Sequence, residues 1–413
     1  MSSGSARASR TRRSGRSPTP PTCSPWSDRS CSPRPSPGFW PARRRAVARG
    51  WWPMAETGEL TVLGGPGEVE VASYPVPSPG PGEMVARMVR ANICGSDLHI
   101  VRGAHPMVKP GFTLGHEGVG RVHALGEGVE LDSGGAAVAV GDLVAATYFQ
   151  TCGECPACVN EQSNICYRAA GAYARPAAEP PHFHGTIATH WHIGRAQSFF
   201  RVPDGVDERA AAGANCALAQ VVHAAELSEL APGDTVLFQG AGGLGLCGVA
   251  VAGIRGAYPI IADLDHERLE ASRAFGAKAA LDFAGRSLDE RVQAVREVTG
   301  GLGADVVVEV TGVASAFEEA LRFVRPGGTI VTVGNITPST AAIDPGGFTR
   351  AGGRLLAAYR YRPRHLATAL RILERHPQIP WGSLVDADYS IRDVGDAIAD
   401  SVARKITRAS IVF

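Results

Sequence analysis

Two short polar segments bring together side chains that could bind a metal and move a proton. Residues 94–99 read Cys-Gly-Ser-Asp-Leu-His, and His116 lies between a glycine and Glu117. A thiolate and an imidazole are zinc ligands, and the serine, the aspartate and the second histidine could take a proton from a molecule bound at the metal. A cysteine and a histidine alone are weak evidence, because both are common in protein cores. The zinc interpretation therefore depends on the other motifs.

Four further cysteines occur in one short segment, at Cys152, Cys155, Cys158 and Cys166. The spacing C-x2-C-x2-C-x7-C lets a single chain reversal present four sulfurs to a tetrahedral ion, which leaves no open position. An iron–sulfur cluster also takes four thiolates, but its usual spacings differ. The chain has nine cysteines, and this clustering favours metal ligands in a reducing compartment over a secreted disulfide framework. We therefore expect a structural zinc site at 152–166 and a cytoplasmic protein.

A glycine-rich segment predicts a nucleotide site in the second half of the chain. The apolar run at 235–239 leads directly into Gly-Ala-Gly-Gly-Leu-Gly at 240–245, which opens an apolar helix. Such glycines let the backbone reach a pyrophosphate whose charge lies at the helix N-terminus. Strand and helix patterns alternate from there to residue 334, which predicts a doubly wound parallel sheet. The cofactor contacts expected in this motif are Gly240, Gly242, Gly243, Leu244 and Gly245.

Asp263 ends the next predicted strand, within the roughly 20 residues after the first glycine at which a carboxylate accepts the ribose 2′-hydroxyl. This position favours NAD over NADP, since a 2′-phosphate would meet a like charge. In the alternative interpretation, Asp263 caps the following helix and Asp265 or Arg268 governs this part of the pocket. Arg268 could then attract a phosphate.

Composition separates residues 1–53 from the rest. This segment has eleven arginines and one acid, is rich in Ser and Pro, and has no helical or strand periodicity, so we expect a disordered tail and a sufficient start at Met54. In the remainder acids outnumber bases, which argues against a nucleic-acid partner. The chain is 44% hydrophobic and 20% charged, as in soluble globular proteins, and it has no run of 18 apolar residues to span a membrane.

Three intermediate segments complete the sequence-based prediction. Short strand patterns at 60–93 indicate a small, mostly antiparallel β-domain that presents the site. A continuous helix is expected at 208–230. The alternation at 189–193 fits a strand, and the histidines of this region are interpreted as a wall of the substrate pocket in preference to a further metal site. These histidines are His182, His184, His190 and His192.

Together these motifs resemble the zinc-dependent alcohol dehydrogenases of the medium-chain dehydrogenase/reductase superfamily over essentially residues 54–413. The likeness includes Val-Arg-Pro-Gly-Gly-Thr-Ile-Val-Thr-Val-Gly at 324–334 and Lys-Ile-Thr-Arg at 405–408. It implies an α/β protein with a GroES-like β-barrel catalytic domain and a Rossmann cofactor domain. The implied boundaries are 54–205 for the catalytic domain, 206–356 for the NAD-binding domain and 357–413 for the return to the catalytic domain.

The resemblance also assigns roles to residues. It implies that Cys94, His116 and Cys216 ligate a catalytic zinc, with Glu117 as an alternate or transient ligand, and that Asp97 orients His116. A second group is implied to act on substrate and cofactor. Ser96 and His99 relay the proton, whereas Val333 and Arg408 contact the cofactor, Arg408 at its pyrophosphate. Gln220 stands where relatives often have Thr or Val against the nicotinamide.

The function implied is NAD-dependent oxidation of an alcohol, or the reverse reduction, with two zinc ions per subunit and a small-molecule substrate. Within the same superfamily, a polyol, amino-alcohol or threonine-type dehydrogenase is favoured by Glu117 and by the histidine-rich segment. A different class of function would be a zinc-free reductase-like binding protein, against which the intact Cys94 and His116 argue. The expected assembly is a homodimer or homotetramer without nucleic acid or membrane.

Overall fold

The computed structural model of the chain describes residues 56–105, 108–169, 175–334 and 338–413. All of them belong to one compact unit, Met54–Phe413. The expected disorder of residues 1–53 concerns a segment outside these ranges. None of the helices in the described ranges is both long and apolar enough to cross a membrane.

The first part of the chain is mostly antiparallel β-structure, as the strand patterns predict. β1 and β2 form a two-stranded sheet, and β3 pairs antiparallel with both β4 and β6. Buried side chains such as Met84, Met88 and Trp191 pack into a core beneath this second sheet. The elements are β1 (Thr57–Gly65), β2 (Glu68–Pro75), β3 (Met84–Asn92), α1 (Gly95–Val101), β4 (Val119–Leu125), β5 (Leu143–Ala146), α2 (Pro156–Val159), β6 (His190–Ile193) and β7 (Phe199–Arg201).

The continuous helix predicted at 208–230 is wrong. The structure has α3 (Glu208–Ala211), a π-helical segment Ala214–Leu218, and then α4 (Ala219–Leu227). A π-helical turn adds one residue to the helical repeat, and such turns occur frequently at functional sites. Cys216 lies in this turn, so its direction differs from the one that a regular helix would give.

The nucleotide half forms the doubly wound parallel sheet that the sequence predicts. Its six strands are all parallel, in the order β10-β9-β8-β11-β12-β13. Val236, Leu237, Ile260 and Ile261 are fully buried, because helices cover both faces of the sheet. The elements are β8 (Thr235–Gln239), α5 (Gly243–Ile254), β9 (Tyr258–Asp263), α6 (His266–Ser272), β10 (Ala279–Asp282), α7 (Leu288–Val298), β11 (Ala304–Glu309), α8 (Ala314–Phe323), β12 (Val324–Thr332), α9 (Pro345–Ala351) and β13 (Arg354–Ala357).

The last part of the chain returns to the first sheet. Its elements are α10 (Pro363–Arg375), β14 (Ala387–Tyr389), α11 (Val394–Val402) and β15 (Ala409–Val412). β15 pairs antiparallel with β3, and β14 adds parallel to β15 at the sheet edge. This pairing brings Arg408, which directly precedes β15, to the segment that follows β3.

Candidate active site

Three side chains from distant parts of the chain form a candidate metal centre. The Sγ atoms of Cys94 and Cys216 lie 3.9 Å apart, and Cys216 Sγ lies 3.5 Å from His116 Nε2. Zinc–sulfur bonds of about 2.3 Å and zinc–nitrogen bonds of about 2.0 Å, at tetrahedral angles, separate two sulfurs by about 3.8 Å and sulfur from nitrogen by about 3.5 Å. With Glu117, the four ligand atoms lie within 4.8 Å of one another. The donor set therefore fits a zinc ion.

Asp97 connects the first two ligands. Cys94 is the N-cap of α1, and its backbone N–H donates to Asp97 Oδ2 at 2.9 Å. The other carboxylate oxygen, Oδ1, lies 3.2 Å from His116 Nδ1. A carboxylate at Nδ1 holds the proton on that nitrogen and leaves Nε2 for a metal. The structure thus brings Asp97 to the place that the sequence-based hypothesis gave it.

Glu117 and Arg408 form a buried ion pair beside the centre. Arg408 Nη2 donates to Glu117 Oε1 at 2.8 Å, and the Glu117 side chain is completely buried. The second oxygen, Oε2, has no hydrogen-bond partner among the described residues. Burial raises the pKa of the Glu117 carboxyl above its ordinary value, and the charge of the Arg408 guanidinium opposes this shift. The free oxygen is thus the atom that Glu117 could offer to a metal.

The ionisable side chains of the candidate metal centre shift one another's pKa values. A hydrogen bond shared with Cys216 lowers the pKa of the Cys94 thiol well below its usual range, and the same bond, together with burial, raises the pKa of Cys216. Burial opposes a charge on His116, but Asp97 raises the pKa of its imidazole well above the ordinary value. A bound cation would favour the deprotonated form of both thiols and a neutral His116 ring with its lone pair on Nε2.

Asn215 was missed by the sequence analysis, although it immediately precedes Cys216. It is fully buried, and its side-chain amide donates to the carbonyls of His116 and Ala146 at 3.0 and 2.9 Å. The hydroxyl of Tyr361 donates to the backbone carbonyl of Asn215. These bonds fix the loop of His116 against the π-helical turn of Cys216. A buried Asn beside a cysteine is a possible sequence signal, but its partners are distant in the chain.

One cavity of about 920 Å³ joins the metal centre to the glycine-rich turn. Ser96 and His99 line it on the metal side, and Ser96 Oγ lies 3.4 Å from His116 Nε2. Gly242 and Val333 line it on the nucleotide side. The cavity therefore brings the candidate metal ligands, the candidate proton relay and the nucleotide motif to one space.

The glycine-rich turn has the geometry that a pyrophosphate requires. A Cβ on Gly245 would lie 1.8 Å from the carbonyl oxygen of Gly240, whose φ is +112°. Gly242 is the N-cap of α5, no side chain caps this helix end, and a Cβ there would have no atom within 4 Å. Gly243 and Leu244 line the cavity, and a Cβ on Gly243 would lie 3.3 Å from Arg408 Nη1. Backbone N–H groups and a guanidinium thus face the space where the pyrophosphate of a dinucleotide would fit.

Asp263 is held by the turn. Its carboxylate accepts hydrogen bonds from the backbone N–H groups of Ala241, Leu264 and Asp265, at 2.5, 2.7 and 3.0 Å. The N-cap of α6 is Asp265, whose Oδ1 accepts from the backbone N–H of Arg268 at 3.2 Å. Asp265 and Arg268 line the cavity. The alternative interpretation predicted that Asp263 caps the following helix. This part of it is wrong, because Asp265 caps α6.

The four-cysteine segment forms a compact cluster apart from the cavity. Sγ–Sγ distances are 4.0 Å for Cys152–Cys158, 3.8 Å for Cys155–Cys166 and 3.6 Å for Cys152–Cys166. These values exclude disulfide bonds and match the sulfur–sulfur separation of about 3.8 Å in a tetrahedral zinc site. The backbone N–H of Cys155 points to Cys152 Sγ at 3.3 Å. Such bonds stabilise thiolates, so this segment also fits zinc.

The prediction that the histidine-rich segment walls the substrate pocket is wrong. His184 and His192 line a separate cavity of about 310 Å³ with Glu83, which lies 3.1 Å from His192 Nε2. His190 does begin a strand, β6, as predicted, but it faces neither cavity. Burial lowers the pKa of both His184 and His190 to about 4. Gln220 does line the main cavity, although its amide donates to the Ala358 carbonyl at 2.6 Å.

A dinucleotide-type sheet joined to a cysteine–histidine metal centre defines the class of a zinc-binding oxidoreductase, and comparison with known proteins agrees. Residues 80–204 match the alcohol dehydrogenase GroES-like domain, and residues 243–375 match the zinc-binding dehydrogenase domain.

Three relatives give the scale of the similarity. The chain is 32% identical over 339 residues to 5-exo-hydroxycamphor dehydrogenase of Pseudomonas putida, which covers 80% of this chain and 91% of the relative. It is 32% identical to L-threonine 3-dehydrogenase of Pyrococcus furiosus over 67% of this chain and 74% of the relative. The crystal structure of an alcohol dehydrogenase from Thermotoga maritima superposes with a TM-score of 0.81 at 26% identity, covering 87% of this chain and 100% of that one.

The chain belongs to the zinc-type alcohol dehydrogenases of the medium-chain dehydrogenase/reductase superfamily, and it is an oxidoreductase. The fold class expected from the resemblance, a GroES-like domain with a Rossmann sheet, is confirmed.

Proposed function

We propose that this chain is a zinc-dependent dehydrogenase that transfers hydride between an alcohol, or its carbonyl form, and NAD. One observation carries the proposal. The cavity of about 920 Å³ has Cys94, His116 and Cys216 on one side and the glycine-rich turn on the other. A substrate oxygen at the metal centre would therefore lie in the same space as the nicotinamide end of a dinucleotide.

In the proposed site, Cys94, His116 and Cys216 would hold a zinc ion, and three protein ligands would leave a position for the substrate. When bound, zinc supplies Lewis acidity that favours loss of the substrate hydroxyl proton, and the nicotinamide supplies the two-electron step. Arg408 holds Glu117 by one oxygen, which keeps the carboxylate beside the centre as an alternate ligand. Asp97 fixes the tautomer of His116.

Proton movement is assigned to Ser96 and His99. Ser96 Oγ lies at the metal centre, 3.4 Å from His116 Nε2, and His99 lines the same cavity one helical turn further along α1. Ser96 accepts the substrate's hydroxyl proton as it releases its own, and His99 is the base that receives the released proton and passes it on towards solvent. The spacing of three residues suits this relay, because positions i and i+3 lie on the same face of a helix.

The cofactor is proposed to be NAD. Gly240, Gly242 and Gly245 shape the turn at the pyrophosphate, and Arg408 balances its charge. The carboxylate of Asp263 lies at the end of β9, where the adenosine ribose binds in folds of this type. Arg268 in the same cavity is the feature that would favour NADP instead. We further propose two zinc ions per chain, one at each cysteine-containing centre, and a homodimer or homotetramer.

A threonine-type or other amino-alcohol dehydrogenase is a second candidate. Arg102 and Arg360 line the main cavity, and Arg360 lies over the ring of Phe149 at 5.3 Å. Guanidinium groups at a substrate pocket favour a carboxylate on the substrate. The similarity to an L-threonine 3-dehydrogenase agrees with this possibility.

The test is a panel of substrates with NAD and NADP, followed by the absorbance of the reduced cofactor. The panel contains a primary alcohol, a secondary alcohol, a sugar alcohol and L-threonine. We expect turnover with at least one of them, loss of turnover in Cys94→Ala, and retained turnover in Cys247→Ala, which changes a buried cysteine outside both candidate centres. Turnover that persists unchanged in Cys94→Ala would reject the zinc mechanism and favour a zinc-free reductase.

A further inference from the structure

Another group of metal-binding side chains lies on the first sheet, apart from both cysteine-containing centres. Glu56 directly precedes β1, His123 lies in β4, and His190 begins β6. None of these three residues lines either of the cavities described above. Their nearest donor atoms lie within 4.8 Å of one another. Neither the proposed dehydrogenase mechanism nor the four-cysteine lobe uses them.

The strand pairing explains why the two histidines meet. β4 and β6 flank the same part of β3 on opposite sides, so side chains from both can meet above β3. The β3–β4 register shifts between Val85 and Ala86, which pair with Ala124 and Val122, so His123 is the extra residue of a bulge. Bulges redirect a side chain from the regular alternation. Here the two imidazole rings lie edge to face with centroids 5.2 Å apart.

The separations match a metal shell better than direct hydrogen bonds. Glu56 Oε2 lies 3.3 Å from His123 Nε2, and Glu56 Oε1 lies 3.5 Å from His190 Nε2. Nitrogen and oxygen ligands at about 2.0–2.1 Å from zinc, at tetrahedral angles, are about 3.3–3.4 Å apart. The usual limit for a hydrogen bond between nitrogen and oxygen is about 3.2 Å. Each imidazole thus stands at ligand spacing from one oxygen of the Glu56 carboxylate, and one donor atom from each of the three residues lies within 4.8 Å of the others.

His190 is held ready to offer a lone pair. Its Nδ1 lies 3.0 Å from Thr189 Oγ1, and that hydroxyl already donates to the Glu59 carbonyl. In the tautomer with the proton on Nδ1, the ring donates to this hydroxyl and its lone pair is on Nε2. This atom is buried and has no hydrogen-bond partner within the described ranges. Phe183 packs edge to face on the ring, and a Cβ on Gly58 would lie 2.8 Å from Nδ1, so the ring has little freedom to turn.

Arg87 is the competing cation. Its guanidinium contacts Glu56 Oε1, and its side chain is 60% exposed. An exposed ion pair contributes little, about 0–1 kcal/mol, so it does not prevent a metal from binding. Oε2 faces His123 and remains for the metal while Arg87 stays on Oε1. The backbone carbonyl of Glu56 accepts from the N–H of Val76 at 2.8 Å, which anchors the carboxylate to the sheet.

We propose that Glu56, His123 and His190 form a third zinc site, which links Glu56, directly before β1, to β4 and β6. Two imidazoles and one carboxylate form a donor set that zinc accepts and that calcium and magnesium do not prefer. The His123 side chain is 31% exposed, so solvent and free zinc can reach this group.

The test compares zinc content among variants of the full chain after equilibrium dialysis against buffered free zinc near neutral pH. We expect His123→Ala to bind one zinc per chain fewer than the unchanged protein. His266→Ala is the matched control, since His266 is exposed and lies 3.8 Å from a single carboxylate, Asp282. It should retain the full zinc content. Because only differences are compared, the result does not depend on how many ions the two cysteine centres hold.

A second measurement distinguishes a site from a loss of folding. Added zinc should raise the unfolding temperature of the unchanged protein and of His266→Ala by the same amount, and that of His123→Ala by less, since all three share the cysteine centres and only the first two have the additional site in the folded state. Glu56→Gln, at an exposed carboxylate, replaces His123→Ala if the latter does not fold. Equal zinc contents in the unchanged protein, His123→Ala and Glu56→Gln at every free zinc concentration would overturn the proposal.

Discussion

At the scale of single residues, Asp97 shows how one side chain can serve two ligands. One oxygen closes the first turn of α1 through the backbone of Cys94, and the other lies at Nδ1 of His116. A change at Asp97 would therefore disturb both ligands together. Residues that contact neither ligand can be tested more selectively, and two predictions concern them: His99, which lines the cavity, and Asp263, at the end of β9.

We expect His99→Gln to slow alcohol oxidation by roughly 10²-fold, mainly at low pH, because general base catalysis contributes about this factor and hydroxide replaces it as the pH rises. Steady-state rates across the pH range measure the effect. Zinc content should stay unchanged, since the proposal makes His99 a proton carrier and not a ligand. Zinc loss from His99→Gln would contradict that role.

Asp263→Ser tests the cofactor preference. We expect kcat/KM with NAD to fall and the ratio of NAD to NADP to move towards NADP, because the carboxylate would repel a 2′-phosphate. Arg268→Ser is the opposite control and should weaken any use of NADP. An unchanged NAD-to-NADP ratio in Asp263→Ser would mean that this carboxylate only accepts its three backbone hydrogen bonds and does not discriminate between the cofactors.

At the scale of elements, the site depends on irregular segments joined to regular ones. Cys94 is the cap of a helix, His116 is in a loop, and Cys216 is in a π-helical turn. The four-cysteine lobe has little secondary structure of its own, with α2 as its one short α-helix. Irregular segments anchored to regular elements thus position the catalytic ligands, whereas the lobe depends on its metal.

The substitutions Cys155→Ala and Cys94→Ala should therefore have different effects on stability and on turnover. We expect Cys155→Ala to lose one zinc and several degrees of unfolding temperature, because a structural metal contributes its binding energy to folding. Cys94→Ala should lose turnover but keep an unfolding temperature close to that of the unchanged protein. Elemental analysis and thermal unfolding measure both. Equal thermal losses in the two variants would contradict the division of roles.

The contact of α4 with α10 predicts a pH dependence. Burial, with the nearby His365 and Arg362, lowers the pKa of His223 to about 4, and its ring stacks on that of His365 with centroids 4.9 Å apart. The unfolded chain takes up this proton near pH 6.5. Between pH 6.5 and 4 the unfolded state therefore binds more protons, so stability is complete above pH 6.5 and falls as the pH decreases.

His223→Gln should remove this component, which is on the order of 3 kcal/mol for one such shift. The measurement is the free energy of urea unfolding at pH 7 and pH 4.5 for both proteins. Metal release at low pH affects both equally, so the difference reports on His223. The same fall with decreasing pH in His223→Gln would refute the assignment.

At the scale of the whole molecule, Arg408 connects the two sheets at the cavity. It precedes β15 of the first sheet, pairs with Glu117 at the metal centre, and lies against Gly243 at the start of α5. Because the Arg408–Glu117 pair is buried, removing either side chain would leave the other charge buried without a partner. A single side chain from the end of the chain thus links metal centre and nucleotide turn.

Arg408→Met should reduce stability by about 3–5 kcal/mol, since it leaves the Glu117 carboxylate buried without its partner. KM for NAD should rise as well. Glu117→Gln in the same chain should recover part of the stability, and a double-mutant cycle measures the coupling. The control Arg392→Met breaks an exposed pair with Glu59 and should cost less than about 1 kcal/mol. Equal effects of both arginine substitutions would show that the buried pair has no special role.

The sequence alone determined the class of the fold and most of the candidate site. The glycine-rich turn after an apolar strand predicted the parallel sheet, because the tight turn at 240–245 requires glycine at positions such as Gly240 and Gly245. The four cysteines lie within one chain reversal, so their spacing was sufficient to indicate a cluster. Both patterns are local, and local patterns can be interpreted without knowing the partners.

Contacts between distant segments were decided only by the tertiary structure. The sequence predicted a regular helix at Cys216. The structure has a π-helical turn there, and Asn215 in this turn packs against the loop of His116. Periodicity assigned His190 and His192 to a strand correctly, yet it could not show which neighbour covers each face. The environment of each face depends on the register of β3 with β4 and β6. In this register His192 lines a separate cavity, whereas His190 lies beside Glu56 and His123.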